Sequence, residues 1–494
     1  MKKSLFAILI TALAGCSPSN DKKIDQEQEY IYVDAKVKVY HKDGTRSYKP
    51  YEPFQTRTVA LLKDYETPSE KTPLSKYGGM QEYQTEATGF YHVKKIDDRW
   101  WGIDPSGYRY FNIALNGVKR NRSERNKQAL IEKFGSNENW LKETVALLQE
   151  NGFNATGSWS DHEAIIELNK TLDQPIAYAI NLDFMGSYGS KRGGTYQQSG
   201  HRGYPNNAIF VFDPEFEAFC DEHAQQLLAY KDDPNLFGYF SDNEMPFKFK
   251  AIDNYLGLPE TDHGYLAAKA WLDEQGITQE EIKNEHRHQF MSVVADKYFS
   301  VVSKAIKKHD PNHMYIGSRF YSSEKDNQMF METVGKYLDA ISINYYNKWT
   351  PDSTQMANWA NWSGRPFIIT EYYTKGEDSG MGNKSGAGWI VRTQEDRGLF
   401  YQNYNLALLE SKNCVGWHYF KYQDNDPQDK TVDPSNIDAN KGIVTSEYVV
   451  WESMLEKMNE LNHQVYPVIE HFDEQSATSN DSGEPTVEAS FSAP

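Results

Sequence analysis

The sequence predicts an α/β protein, a (β/α)8 TIM barrel with a small N-terminal β-rich extension. Three observations carry this. Eight short apolar runs alternate with helix-length stretches between residues 101 and 470, and strands separated by helices pair in parallel. The length of 494 residues suits one large barrel with extensions. The composition is 39% hydrophobic, 25% charged and 14% aromatic. It excludes a disordered chain, a coiled coil and a multi-span membrane protein.

Taken in order, residues 1–16 join a basic start (Lys2, Lys3) to an apolar run and end Leu13-Ala14-Gly15-Cys16. This is a secretory signal, too short to span a bilayer. Its end resembles a bacterial lipobox, which implies cleavage before Cys16, lipidation of that cysteine and, with Ser17 rather than Asp next, an outer-membrane lipoprotein. Residues 17–29 are polar and read as a tether. Residues 30–100 are β-rich, with alternating branched and aromatic residues from Tyr30 to Tyr40 and a Lys42-Asp43-Gly44 turn. The strand candidates of the barrel are 111–118, 153–157, 176–183, 236–244, 314–320, 340–346, 366–373 and 414–423. Among the helices, 214–231 opens with Asp213 as cap and Pro214 at the first position. The stretch 279–308 places Phe290, Val293, Val294, Tyr298 and Val301 at helical spacing. The segments 184–209 and 245–276 are long loops, which in a compact domain are usually functional. Residues 471–494, rich in Ser, Glu and Thr, read as a disordered tail. With Cys16 lipidated, Cys220 and Cys414 remain, both in apolar runs and read as buried thiols.

Lys and Arg number 52 against 70 Asp and Glu, a net charge of −18. Such a surface argues against nucleic acid as a partner and leaves the lipid anchor as the sole membrane attachment. The basic residues nevertheless gather in rim loops: Lys119, Arg120 and Arg122, then Lys191, Arg192 and Arg202, then Lys348 and Lys421. Asp161, Asp183, Asp352 and Asp424 share those loops, so the pattern fits either steering of an anionic substrate or an ordinary mixed surface.

Active sites of such barrels lie at the C-terminal ends of the strands. The fourth run ends Ser241-Asp242-Asn243-Glu244 and the seventh ends Thr370-Glu371-Tyr372-Tyr373. A carboxylate at the end of an apolar strand is costly unless paired or used. Two of them across one barrel mouth are what glycoside hydrolysis requires.

Asn243-Glu244 and Glu371 resemble the acid/base and nucleophile of the retaining (β/α)8 glycosidases of clan A. The runs 151–161 (NGFNATGSWSD), 310–313 (DPNH), 317–320 (GSRF), 393–398 (TQEDRG) and 416–420 (GWHYF) resemble the β-agarases of glycoside hydrolase family 50. The similarity extends over about residues 99–467. Two features depart from it: a shorter N-terminal extension, and Thr-Glu-Tyr-Tyr where the family pattern is of Gly-Glu-Phe type.

The resemblance implies a retaining hydrolase of β-galactosidic linkages in an algal galactan of agarose, porphyran or carrageenan type, exo-acting and releasing disaccharides. Glu244 is then acid and base with a raised pKa, and Glu371 the nucleophile with a lower one. Their carboxyl groups are expected roughly 5–5.5 Å apart. Asn243 would touch the 2-hydroxyl. Around them, Tyr345 or Tyr346 is a donor to Glu371, Trp417 a sugar platform or a core ring, and Arg319 an orienting group or a plain ion-pair partner. Asn116, Trp159 and His418 are further substrate contacts. No metal or organic cofactor is called for. Two other readings stay open, a β-galactosidase acting on short oligosaccharides and a non-catalytic glycan-binding lipoprotein.

Overall fold

The computed structural model describes residues 29–41, 46–198 and 200–482. The signal segment, Cys16, most of the tether and residues 483–494 lie outside the described residues.

Eight parallel strands form the barrel: Asn112–Leu115, Ala155–Thr156, Ala177–Asn181, Leu236–Phe240, Met314–Tyr315, Ile341–Asn344, Phe367–Tyr372 and Cys414–Tyr419. Each lies inside its expected run. Neighbours pair in chain order, and the first strand pairs the eighth. Between the fifth and sixth the ring closes through one parallel bridge, Phe320 to Ile343, with Phe320 N–H donating to Ser342 O at 2.9 Å. The lumen is filled by small residues (Ala114, Ala155, Ala177, Ala179) against large ones (Phe237, Phe240, Met314, Ile316). This alternation makes a barrel interior a packed core and not a pore.

The N-terminal extension is β-rich and divides its work between the two ends of the barrel. Strands Met80–Gln84, His92–Ile96, Arg99–Ile103 and Tyr108–Tyr110 form an antiparallel sheet. Tyr77, Tyr91 and Tyr110 belong to the same buried cluster as the lumen residues, so this region plugs the barrel floor. The sheet runs on to Tyr110, ten residues past the expected boundary. Strands Ile31–Lys36 and Glu52–Thr56 instead complete a sheet with Thr374–Gly376 and Trp389–Val391, which follow the seventh barrel strand. The extension thus braces the loop that leaves Glu371.

Three expectations are corrected. The helix expected over 214–231 begins at Phe216 and turns into a tighter 3-10 stretch after His223; Asp213 does not cap it but pairs with Arg192. Residues 245–276 are not a rim loop: they hold helices Ala251–Leu256 and His263–Gln275, and the first of these packs on Asn284–His309. The C-terminal segment is helical from Val465 to Ser482, where a tail was expected from residue 471. Arg99 holds it there, with two bonds to the Asp473 carboxylate at 2.7 and 2.8 Å and a third to Leu409 O at 2.8 Å. Cys220 and Cys414 are both buried free thiols.

Candidate active site

Glu371 stands next to the last residue of the seventh strand, and the register places it beside Asn344 at the end of the sixth. Irregular pairing at Ile343/Asn344 and at Ile369/Tyr372 breaks the alternation there. Bulges of this kind re-aim side chains beside active sites. Glu244 and Arg319 follow the fourth and fifth strands with φ of +50° and +55°, a left-handed conformation that is strained for such side chains and clusters at functional sites.

These turns converge on one network. The Arg319 guanidinium, fully buried, donates from Nη2 to Glu371 Oε2 and from Nε to Asn243 Oδ1 at 2.7 Å. Tyr346 O–H donates to Glu371 Oε1. Asn344 Nδ2 donates to Glu244 Oε1 at 2.8 Å and to Glu371 Oε2 at 3.3 Å. Since one nitrogen serves both glutamates, those two contacts cap the separation of the oxygens at about 6.1 Å. His201 Nδ1 lies 3.5 Å from Glu244 Oε2.

Burial pushes the Glu371 carboxyl above its ordinary value; Arg319 opposes this and the neighbouring Glu244 charge reinforces it. The expected lowering of Glu371 is therefore not what the closed network produces. Desolvation outweighs the donors. Tyr346, half-buried beside the carboxylate, has its phenol pushed far up by desolvation and the Glu371 charge and stays a donor.

Both glutamates line a cleft of about 1530 Å³, well above the ~300–1,000 Å³ of ordinary small-molecule pockets. Asn243, Trp159, Tyr321, Tyr346, Tyr373 and Phe420 line it too. Trp159 is 39% exposed, and its ring lies 5.9 Å from the Arg319 guanidinium. It is thus a free aromatic face at the cleft.

Four expected contacts do not reach the cleft. Trp417 points outward: it is wholly buried, packs on Phe111 and donates to Tyr401 O–H at 2.7 Å. Tyr345 is turned into the helix layer, against Trp359 and bonded to Gln355. Asn116 is buried and donates to Thr370 O at 2.8 Å. His418 is buried beneath Arg319, 2.8 Å from Asn112 Oδ1, and desolvation with the Arg319 charge pulls it down to about 3. It is a neutral floor residue.

Sequence reasoning also missed the far wall. Residues after the eighth strand, among them Gln423, Asn425, Asp433, Asn436 and Lys441, line the cleft. That loop meets the hairpin after the third strand, Tyr196–Gln197 with Arg202–Gly203. Gly200 N–H and Gln197 Nε2 donate to Asp433 at 3.1 and 3.0 Å. The join lies directly over Glu244, for a side chain begun at Gly200 would sit 3.8 Å from Glu244 Oε2. Asn344 was missed as well; its only sequence signal was a polar residue closing an apolar strand. Among the described residues no group of His, Cys, Asp and Glu is placed to hold a metal ion, and no helix is long and apolar enough to cross a membrane.

A barrel carrying two glutamates at the C-terminal ends of its fourth and seventh strands defines a glycosidase-type site. No family model matches the chain. Among solved structures it is similar to BpGH50, with 30% identity and a TM-score of 0.79 over 90% of this chain and 96% of that one. The chain belongs to glycoside hydrolase family 50. The agarase AgWH50C shares the fold at 21% identity and a TM-score of 0.66, over 81% of this chain and 67% of that one. β-Agarase B of Vibrio sp. strain JT0107 is 23% identical over 517 residues, 84% of this chain and 52% of that protein. This chain thus spans about half the length of that relative.

Proposed function

We propose that the protein is a retaining glycoside hydrolase of β-galactosidic linkages in a galactan of agarose, porphyran or carrageenan type. The single observation that carries the mechanism is the shared Asn344 amide. By bonding one oxygen of each glutamate it holds that pair of oxygens within about 6.1 Å, a close approach that supports the roughly 5–5.5 Å carboxyl separation of a retaining pair. The similarity to β-agarase B supports the linkage.

Glu244 donates its proton to the glycosidic oxygen as Glu371 Oε attacks the anomeric carbon from the opposite face. The bond to the leaving sugar breaks and a glycosyl ester forms on Glu371. Glu244, now a carboxylate, takes a proton from water, whose oxygen attacks the same carbon and releases Glu371. Arg319 and Tyr346 donate to Glu371 and aim it at the anomeric carbon, while Glu244 accepts from Asn344 and turns its other oxygen toward His201. Asn243, fixed by Arg319, offers its amide to the sugar, and Trp159 offers a face.

The bridge from Gly200 and Gln197 to Asp433 closes the cleft over Glu244. A polymer entering from the open side would be cut near its end, which supports exo action and disaccharide release. The loops that meet there follow the third and eighth strands. The lipobox supports delivery of the enzyme as an outer-membrane lipoprotein on Cys16.

The test is product release from agarose, porphyran, furcellaran and carrageenans, with Glu371→Gln alongside and the first-formed anomer followed by NMR. One galactan should yield a disaccharide of β configuration, and the variant should yield none. An α anomer would sink retention, long internal products would sink exo action, and cleavage of nitrophenyl galactoside alone would shift the substrate to short oligosaccharides.

A further inference from the structure

Two buried lysines in the cleft wall have no carboxylate in direct contact. Lys421, at the end of the eighth strand, is 9% exposed, and Lys441, in the loop after it, is 1% exposed. The backbone ties them together, with Lys421 N–H donating to Lys441 O at 3.0 Å. Each ammonium has one hydrogen-bond acceptor, and it is neutral: Lys421 Nζ donates to Asn425 Oδ1 and Lys441 Nζ to Asn436 Oδ1, both at 2.8 Å. An ammonium carries three donors, so two remain on each. Among the described residues no carboxylate lies within 4.0 Å of either nitrogen. Asp424, the nearest in sequence to Lys421, is already spent on the Lys441 and Gly442 N–H groups, Asn440 and Trp451, and Asp438, the nearest to Lys441, on Lys384 N–H and Ser385.

The pair is also fixed in place. Lys441 Nζ sits 4.4 Å from the Tyr373 ring centre and 5.1 Å from that of Phe420, and Lys421 Nζ sits 5.9 Å from the Phe420 ring on its own account. Gly386 packs closely on the lysine, for a side chain begun there would fall 2.8 Å from Lys441 Cε. Both lysines line the same cleft as Glu244 and Glu371, with Lys119 and Arg122 on that lining too. Desolvation pulls Lys421 down to about 8 and Lys441 to about 7, against the more distant charges of Asp424, Asp433, Glu371 and Glu244. A buried ammonium with no anion in contact is costly, and since both face the cleft an anion bound there would offset that cost.

We propose that Lys421 and Lys441 form a receptor for an anionic substituent, a sulfate ester or a carboxylate, on the sugar unit bound beside Glu371. The proposal rests on the reading of the cleft as a galactan site and narrows it to charged galactans. The anion supplies the acceptors that the four spare N–H donors lack, as charge-assisted hydrogen bonds. A neutral galactan leaves those donors unpaired.

The test measures binding to the full chain of galactose, galactose 4-sulfate, galactose 6-sulfate and galacturonic acid by calorimetry at low salt. At least one charged sugar should bind about tenfold tighter than galactose, one decade for each well-placed charge-assisted bond. The sulfate and galacturonate arms identify which anion is recognised. The preference should vanish in Lys421→Gln/Lys441→Gln and persist in Lys421→Arg/Lys441→Arg. Equal affinities for all four sugars in the unaltered protein overturn the proposal without any variant. Retention of the preference in the folded glutamine variant overturns it as well. Turnover separates the two readings: hydrolysis of neutral and sulfated galactans at equal kcat/KM defeats this inference alone. A charged-sugar preference with no galactan hydrolysed defeats the hydrolase reading alone.

Discussion

Replacing Tyr346 by Phe deletes one of three donors to Glu371 and leaves the ring in place. The hydroxyl bonds Oε1, while Arg319 and Asn344 serve Oε2, so the loss falls on the oxygen with no other donor in the network. A hydrogen bond to a charged group contributes about 1.5–3 kcal/mol. The sign follows from which form it favours. An O–H donor stabilises the carboxylate, and its removal raises a carboxyl that burial has already pushed up. At 1.36 kcal/mol per pH unit, the acid limb should rise by about one to two pH units. The assay is kcat/KM against pH on whichever oligosaccharide the product-release test identifies, because this ratio reports the ionisation of the free enzyme. A thermal melt establishes that the variant is folded. An acid limb that stays within about 0.3 pH units of the parent, whatever the fall in kcat, would refute the assignment of Tyr346 as the group that holds Glu371 ionised.

Two further predictions concern stability. His418 is pulled down to about 3 in the fold and returns to about 6.5 when unfolded. Below pH 6.5 the unfolded chain therefore takes up the proton first, and the fold loses stability as pH falls, by about 2 kcal/mol at pH 5. Urea unfolding at pH 7 and pH 5 should show this loss in the parent and not in His418→Gln; equal losses would refute it. Asp473→Asn leaves the 2%-exposed Arg99 side chain without its anion. Since Asp473 is one-third exposed, the cost is expected at about 2 kcal/mol rather than the full buried-pair value, and a change under about 0.5 kcal/mol in urea unfolding would show that the last helix is held by its apolar face instead.

How far local sequence reaches is plain from the barrel strands. All eight were legible because an apolar run bounded by polar ends and followed by a helix has few other uses in a chain of this length. Glu244 and Glu371 were legible because an acid at the end of such a run has no cheap structural place. Asn243 and Arg319 were legible for the same reason, although only the fold joined them by a hydrogen bond.

Facing was not legible. Both faces of a barrel strand are buried, one by the lumen and one by the helices, so no polar alternation separates them. Trp417 and His418 are adjacent, and the sequence offered both to the sugar; pairing sends the ring of one to Tyr401 and sinks the other beneath Arg319. Tyr345 and Tyr346 stayed an open choice until the irregular pairing at Asn344 and the turn beyond it aimed one at Gln355 and the other at Glu371.

The sequence by itself determined the barrel and its two acids, because hydrophobic periodicity and the cost of burying charge are local facts. Only the tertiary structure decided what surrounds those acids. The bridging Asn344, the wall joined at Asp433 and the paired lysines come from segments up to 236 residues apart. Their meeting depends on ring closure and strand register, which no local pattern encodes.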